Sequence, residues 1–310
     1  MKSNNMTFQS ADGSEIFYHQ WLPGGKKKIK GAVQIAHGMA EHSKRYSRFA
    51  EALTKKGFVV YANDHRGHGQ TAGSLDNVGY FADDNGWGLV VEDMHQLTQI
   101  IKNNHPDTPV FLFGHSMGSF LSRNYIFLYG DEIKGVILSG TGGDPGILGK
   151  VGRYIAKNES KKKGKKYRSP LLKKLSFGKF NNAFKPNRTE FDWLSRDDAE
   201  VDKYVADPYC GGDFTAGFYM DLLSGINEIN NFKNIQKIPK NLPIYIFSGD
   251  KDPVGGKNAK GVKQVCMSYK KAGVKDASCK FYPDGRHEML NEINREEVFN
   301  DVIQWLDPHL

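Results

Sequence analysis

Six short apolar runs, none alternating with polar residues, constrain the fold of this chain more than any other feature. They are AVQIAHG from Ala32, FVVYAND from Phe58, PVFLFGHS from Pro109, KGVILSG from Lys134, LPIYIFSGD from Leu242 and SCKFYPDG from Ser278. A strand wet on one face alternates apolar and polar side chains, whereas a strand covered on both faces has no polar side to show. Such runs predict a parallel sheet with helices on both sides. Helical stretches fall between them. One spans 43–56 and opens at Ser43; another spans 86–104. A third follows Ser116, with Met117, Leu121, Tyr125 and Leu128 at helical spacing, and a last one spans about 291–306 with Val298, Val302 and Trp305 on one face. Upstream, two β-rich runs flank Ala11-Asp12-Gly13, a hairpin signal. The pattern is that of an α/β fold, a mostly parallel central sheet flanked by helices.

The alternation lapses between Gly140 and Leu242. Residues 143–225 carry helical pieces and no clear sheet strand. Among them Ser169-Pro170, ahead of LLKKL, reads as a helix start with Ser as N-cap and Pro in the first turn. Inserted after the sixth strand, this segment would lie over the carboxyl ends of the strands, where open α/β sheets bind ligands. The expected organisation is a core over 1–142 and 226–310, with a helical cap over 143–225.

The formal net charge of +8 is concentrated in that segment. Between Lys150 and Glu190 there are fourteen Lys or Arg against two Asp or Glu, so the remainder is mildly acidic. An acidic body argues against a nucleic-acid-binding fold. No apolar run approaches the roughly 18 residues of a membrane span, and the polar N-terminus has no signal-like core. Three cysteines, Cys210, Cys266 and Cys279, lack close paired spacing and are read as free thiols of a cytoplasmic protein.

Gly114-His115-Ser116-Met117-Gly118 matches G-x-S-x-G and sits between an apolar strand and a helix, the context this motif requires. The turn holds the Ser116 hydroxyl proud of the sheet. A serine hydroxyl needs a base, and the base needs an orienting carboxylate. In the chain order Ser, acid, His, the base is His287 in YPDGRHEML and the acid is Asp252 in SGDKDPV. Asp250 is a rival acid, read here as a turn-fixing residue. The N–H groups of Met39, after His37-Gly38, and of Met117, at the helix start, are the candidate oxyanion donors. No metal and no cofactor are expected: HEMLN lacks the second histidine of H-E-x-x-H, and His65 and His68 have no evident third ligand.

Together HGMAEHSKRY, NDHRGHGQT, GHSMGS, SGDKDPV and PDGRHEMLNE resemble the monoacylglycerol lipase and lysophospholipase branch of the α/β-hydrolases, in order and across the whole core. The resemblance implies that Asp252, in G-x-x-D-x-V, is the triad acid and that Met39 supplies the first oxyanion donor. It implies monoacylglycerols or lysophospholipids as small-molecule partners and an acyl-serine intermediate. Asp64 through Gly69 match a loop beside the site, with Arg66 placed to tie it to carboxylates. The lysine-rich KKKGKKYR does not match the family. Charge runs are commonly solvated, so 161–166 is read first as a solvated loop, with Leu171, Leu172, Leu175, Phe177, Phe180 and Phe184 packing the cap. The alternative is transient contact with an anionic membrane surface. A short-chain carboxylesterase, or an aminopeptidase using Asp197, Asp198 or Glu200 to hold a substrate amine, are the competing functions. Oligomeric state is not legible.

Overall fold

The opening hairpin forms one edge of the sheet. The computed structural model describes residues 1–25 and 28–310. In it β1 (Lys2–Gln9) and β2 (Glu15–Leu22) pair antiparallel across a turn in which Asp12 Oδ1 accepts the Ser14 N–H at 3.0 Å. The six apolar runs become β3 (Gly31–Ala36), β4 (Phe58–Asn63), β5 (Val110–His115), β6 (Gly135–Ser139), β7 (Ile244–Gly249) and β8 (Ala277–Tyr282). The sheet order is β1-β2-β4-β3-β5-β6-β7-β8; β2 runs antiparallel to β4, and all later pairings are parallel. Every residue of β3 through β7 is buried, which is why those runs do not alternate.

Helices cover both faces. In chain order they are α1 (Ser47–Lys55), α2 (Gly86–Asn104), α3 (Met117–Tyr129), α4 (Gly146–Lys163), α5 (Pro170–Phe177), α6 (Asp198–Ala206), α7 (Ala216–Asn230), α8 (Phe232–Ile235), α9 (Lys260–Lys271) and α10 (Arg295–Leu306). Alternate residues of each strand serve opposite layers. Ala32, Leu112 and Val136 pack with Met94 of α2, Leu121 of α3 and Val262 of α9. Val33, Phe111 and Ile137 pack with Phe49 of α1 and Val298 of α10.

Helices α4 to α8 occupy the stretch between β6 and β7. Ser169 caps α5 as expected, its Oγ accepting the Leu172 N–H at 3.1 Å with Pro170 in the first turn. One buried side chain from α3 grips both ends of this stretch. Arg123 donates to the carbonyl of Gly142 at 2.7 Å, and to the Ile229 carbonyl and Asn230 Oδ1 at 3.3 and 2.9 Å.

Local expectations are corrected in four places. Ser43 does not cap α1, because its N–H and hydroxyl both donate to Asp64 Oδ1, at 2.8 and 2.5 Å, and the α-helix starts four residues later. Leu128 faces solvent despite its helical spacing. Lys161, Lys162 and Lys163 are the last turn of α4 rather than a loop, with Lys163 paired to Glu159 one turn back. Cations are stabilised at a helix C-terminus by the backbone dipole, which outweighs the tendency of the charge run to unwind. Finally, Cys266 of α9 and Cys279 of β8 are disulfide-bonded and Cys210 alone is free. Helix and strand bring together two cysteines that spacing gave no reason to pair, so the thiol argument for a reducing compartment no longer stands. No helix among the described residues is long and apolar enough to cross a membrane.

Candidate active site

Strand order reverses at β3, whose neighbours β4 and β5 are reached by the chain leaving in opposite directions. Ala36 stands opposite Gly114, so the loop after β3 and the turn after β5 emerge side by side at the carboxyl edge.

Ser116 occupies that turn with φ 51° and ψ −119°, a conformation costing a non-glycine residue roughly 1–3 kcal/mol. It persists because the surroundings fix it. The Ser116 N–H donates to the Ser139 carbonyl at 2.9 Å, prolonging the β5–β6 pairing, and its own carbonyl accepts the Ser119 N–H at 2.9 Å. The glycines of the motif serve close approach rather than unusual dihedrals. A Cβ on Gly118 would lie 2.0 Å from the Ala36 carbonyl oxygen, and one on Gly114 would lie 2.4 Å from that of Gly118. Met117 opens α3, so its N–H has no carbonyl to accept it within the helix.

The loop after β3 is held from below. Glu41 Oε1 accepts the Gly38 N–H at 2.6 Å and the Tyr46 hydroxyl at 2.8 Å, while Oε2 accepts from Arg45 at 2.7 Å. Arg45 also grips Glu288 with two hydrogen bonds of 2.7 Å. Burial would raise the Glu41 pKa, but the Arg45 charge and its hydrogen bonds bring it down to about 2. Sequence reasoning missed this ionic bridge, which joins the loop of Met39 to the residue beside His287. The partners lie 243 positions apart; the only trace was that Glu41 and Arg45 fall four apart in one motif.

His287 comes from the loop after β8. Its Nδ1 lies 3.0 Å from both carboxylate oxygens of Asp252, and both residues are buried. The Val254 N–H, 2.9 Å from Asp252 Oδ1, fixes the carboxylate. Asp250 points elsewhere and accepts the Asp284 N–H at 2.9 Å, the turn role read for it. Burial opposes protonation of His287, yet the Asp252 charge and hydrogen bond, with Glu288 and Glu41 further off, hold its pKa above the ordinary histidine value. Its neighbour His115, ring centroids 4.7 Å apart, is pushed down to about 4, chiefly by burial.

His37, His65 and His68, buried beside the site, have their pKa values pushed down by burial and pack as neutral groups. The His37 Nδ1 lies 2.8 Å from the Gly38 carbonyl, and its Nε2 accepts the His65 N–H at 2.9 Å. The ring of His68 stands 5.1 Å from that of His37, with burial pushing its pKa down to about 3. Arg66 ties their loop to carboxylates, donating to Asp93 Oδ2 at 2.7 Å and to Asp12 Oδ2 at 2.5 Å.

Ser116, Met39 and His287 all line one cavity of about 650 Å³, within the usual range of about 300–1,000 Å³ for a small-molecule site. Its walls come from the stretch between β6 and β7, notably Phe177 of α5 with Phe191, Trp193 and Leu194. The Trp193 ring lies tilted against that of His287, centroids 5.0 Å apart, and the Glu288 N–H donates to the Leu194 carbonyl at 2.7 Å.

A family model described as serine aminopeptidase, S33, matches residues 27–294. This chain belongs to that family. Within it, the chain is an α/β-hydrolase of the monoacylglycerol-lipase-like branch. It is 30% identical to a monoacylglycerol lipase of Mycolicibacterium smegmatis, covering 98% of this chain and 97% of that one. It is 29% identical to a monoglyceride lipase of Rattus norvegicus, over 95% of this chain and 86% of the relative. Among solved structures, a thermostable carboxyl esterase from Bacillus coagulans in complex with glycerol superposes with a TM-score of 0.91, at 31% identity and 99% coverage of both chains. The S33 match and these relatives agree with the eight-stranded topology at the level of fold.

Proposed function

We propose that this chain is a serine hydrolase cleaving carboxylic esters, monoacylglycerols or lysophospholipids foremost, through an acyl-serine intermediate. The observation carrying this reading is the buried His287–Asp252 pair, whose histidine lines the same cavity as the strained Ser116. Ser116 Oγ attacks the ester carbonyl while His287 takes its proton, and Asp252 holds the ring in the productive tautomer. The N–H groups of Met39 and Met117 receive the oxyanion, a contribution of roughly 3 kcal/mol per donor. His287 returns the proton to the departing alcohol, then deprotonates the water that releases the acid. Residues 143–225 act as a cap, their aromatic wall accepting the acyl chain and excluding water.

The test is an ester chain-length series, run on p-nitrophenyl esters and then on monoacylglycerols and lysophospholipids. Activity should peak at medium or long chains. Cleavage confined to acetate and butyrate would replace this reading with a short-chain esterase, and no turnover of any ester would sink it.

The aminopeptidase reading is disfavoured by where its acidic residues lie. Asp197 pairs with Arg295 at 2.8 Å, Glu200 with Arg48 at 2.9 Å, and Asp198 with Arg188 at 3.5 Å; none lines the cavity.

A pH profile follows from the raised His287 pKa. The base must be neutral, so kcat/KM should fall as pH drops through a value above the ordinary 6.5 of histidine. Stability runs the opposite way: the His287–Asp252 ion pair is favourable below that raised pKa and fades as pH rises through it. An acid limb below pH 6.5 would contradict both.

We further propose that the cap touches anionic bilayers. Ile147 and Leu148 of α4 are 79% and 81% exposed, Val151 and Tyr154 are exposed beside them, and Lys150, Arg153 and Lys157 flank them. Apolar side chains that enter the interface, ringed by cations, suit an acidic lipid surface. Leu148→Glu should reduce cosedimentation with phosphatidylglycerol-containing vesicles, with hydrolysis of a water-soluble ester unchanged. Equal binding to neutral and anionic vesicles would count against the idea.

A further inference from the structure

Outside the triad, three side chains of different ligand chemistry converge on one point. His42 follows the Met39 loop, and Asp207 and Cys210 sit in the turn after α6. His42 Nε2 lies 2.9 Å from Asp207 Oδ2, and the donor atoms of all three residues fall within 4.8 Å of one another. The geometry points to a binding site for a divalent cation of the zinc class, held by imidazole, carboxylate and thiolate, with a fourth position open to solvent.

The donor set suits that ion. Nitrogen, sulfur and a single carboxylate oxygen are the ligands zinc takes in proteins, whereas calcium and magnesium take oxygen alone. Zinc–ligand bonds of about 2.0–2.3 Å place tetrahedral donor atoms roughly 3.3–3.8 Å apart, so the cluster needs adjustment of side chains rather than of backbone. The backbone is already fixed on both sides. The Tyr209 N–H occupies Asp207 Oδ1 at 2.9 Å and leaves Oδ2 for the ion. The Cys210 N–H closes the turn on the Asp207 carbonyl at 3.0 Å. The Gly211 N–H and the Tyr204 hydroxyl both donate to the Ala40 carbonyl, at 3.0 and 2.8 Å, fastening this turn to the loop that bears His42.

Local charge does not forbid a cation. The Arg45 charge acts on Cys210, and it is balanced by Glu41 and Glu288, at 2.7 Å each. Burial pushes the Cys210 thiol up, so binding of the ion releases the thiol proton. The ion then takes the place of the His42–Asp207 hydrogen bond and cross-links segments 165 residues apart, one of them the loop that carries Met39. Sequence alone gives no sign of it, because only Asp207 and Cys210 share a spacing.

Cobalt(II) reports on the site directly. Protein with its disulfide intact and one titratable thiol is titrated with Co²⁺, then with Zn²⁺. The expected result is one Co²⁺ per chain with a thiolate-to-metal charge-transfer band, bleached by stoichiometric Zn²⁺. The band should vanish in Cys210→Ser. His42→Gln should weaken Co²⁺ binding by at least about 10-fold, since loss of even a supporting residue costs a metal site that much. Zn²⁺ should raise the melting temperature of the wild type and of neither variant. Circular dichroism establishes that each variant is folded, and either folded variant suffices. Absence of the band at excess Co²⁺, its survival in Cys210→Ser, or an equal Zn²⁺ effect on all three proteins overturns the site. None of these readouts passes through ester hydrolysis, so failure here leaves the serine-hydrolase reading untouched.

Discussion

Ser116→Ala should lower kcat for ester hydrolysis by roughly 10⁵–10⁶-fold, the loss seen when the nucleophile of a cooperating triad is removed. The fold should be retained. Alanine takes up no more room than serine, and the contacts fixing this turn run through backbone: the Ser116 N–H to Ser139 and the Ser119 N–H to the Ser116 carbonyl. The positive φ remains, so any change in stability should be small. Steady-state kinetics with a chromogenic ester, alongside mass spectrometry for a covalent acyl adduct, reads the result. Wild type should carry the adduct under rapid quench and the variant none. A residual kcat within about tenfold of wild type would mean that another group attacks the ester.

Asp252→Asn is the second large effect, expected at about 10⁴-fold in kcat, because an amide can present its NH₂ to His287 Nδ1 and hold the wrong tautomer. The variant also loses the charge that lifts the His287 pKa, so its acid limb should move to lower pH than that of the wild type. Asp250→Asn is the matched control. The Asn side-chain oxygen still accepts the Asp284 N–H, so activity should stay within about twofold. Equal losses in both variants would assign Asp252 a merely structural part; a loss in Asp250→Asn alone would exchange the two residues.

That pair shows where sequence reading stops. Two aspartates stand two positions apart after the same strand, and both fit a strand-end acid. The residue pattern read Asp250 as fixing the turn, and family resemblance added its weight to Asp252. In the fold, the turn after β7 directs Asp252 inward to a buried histidine and Asp250 outward to the 284 amide. The serine was legible for the opposite reason: its strand, turn and helix are contiguous, so spacing alone carries the geometry. The glycines beside it were legible as a motif but not in their cause. They make room for the Ala36 carbonyl and for one another, contacts that exist only once β3 lies against β5.

By itself the sequence determined the parallel sheet, its helices, the strand-end origin of Ser116, Asp252 and His287, and the long helical interruption between the sixth and seventh strands. Each is written in local periodicity or in a contiguous run, because burial on both faces leaves no polar positions and a sharp turn needs its residues adjacent. Tertiary structure alone decided that Cys266 and Cys279 pair, that Glu41, Arg45 and Glu288 brace the Met39 loop, and that His42 meets Asp207 and Cys210. These contacts join residues from different elements, and no local pattern specifies them: the partners are chosen by where the sheet order delivers each loop.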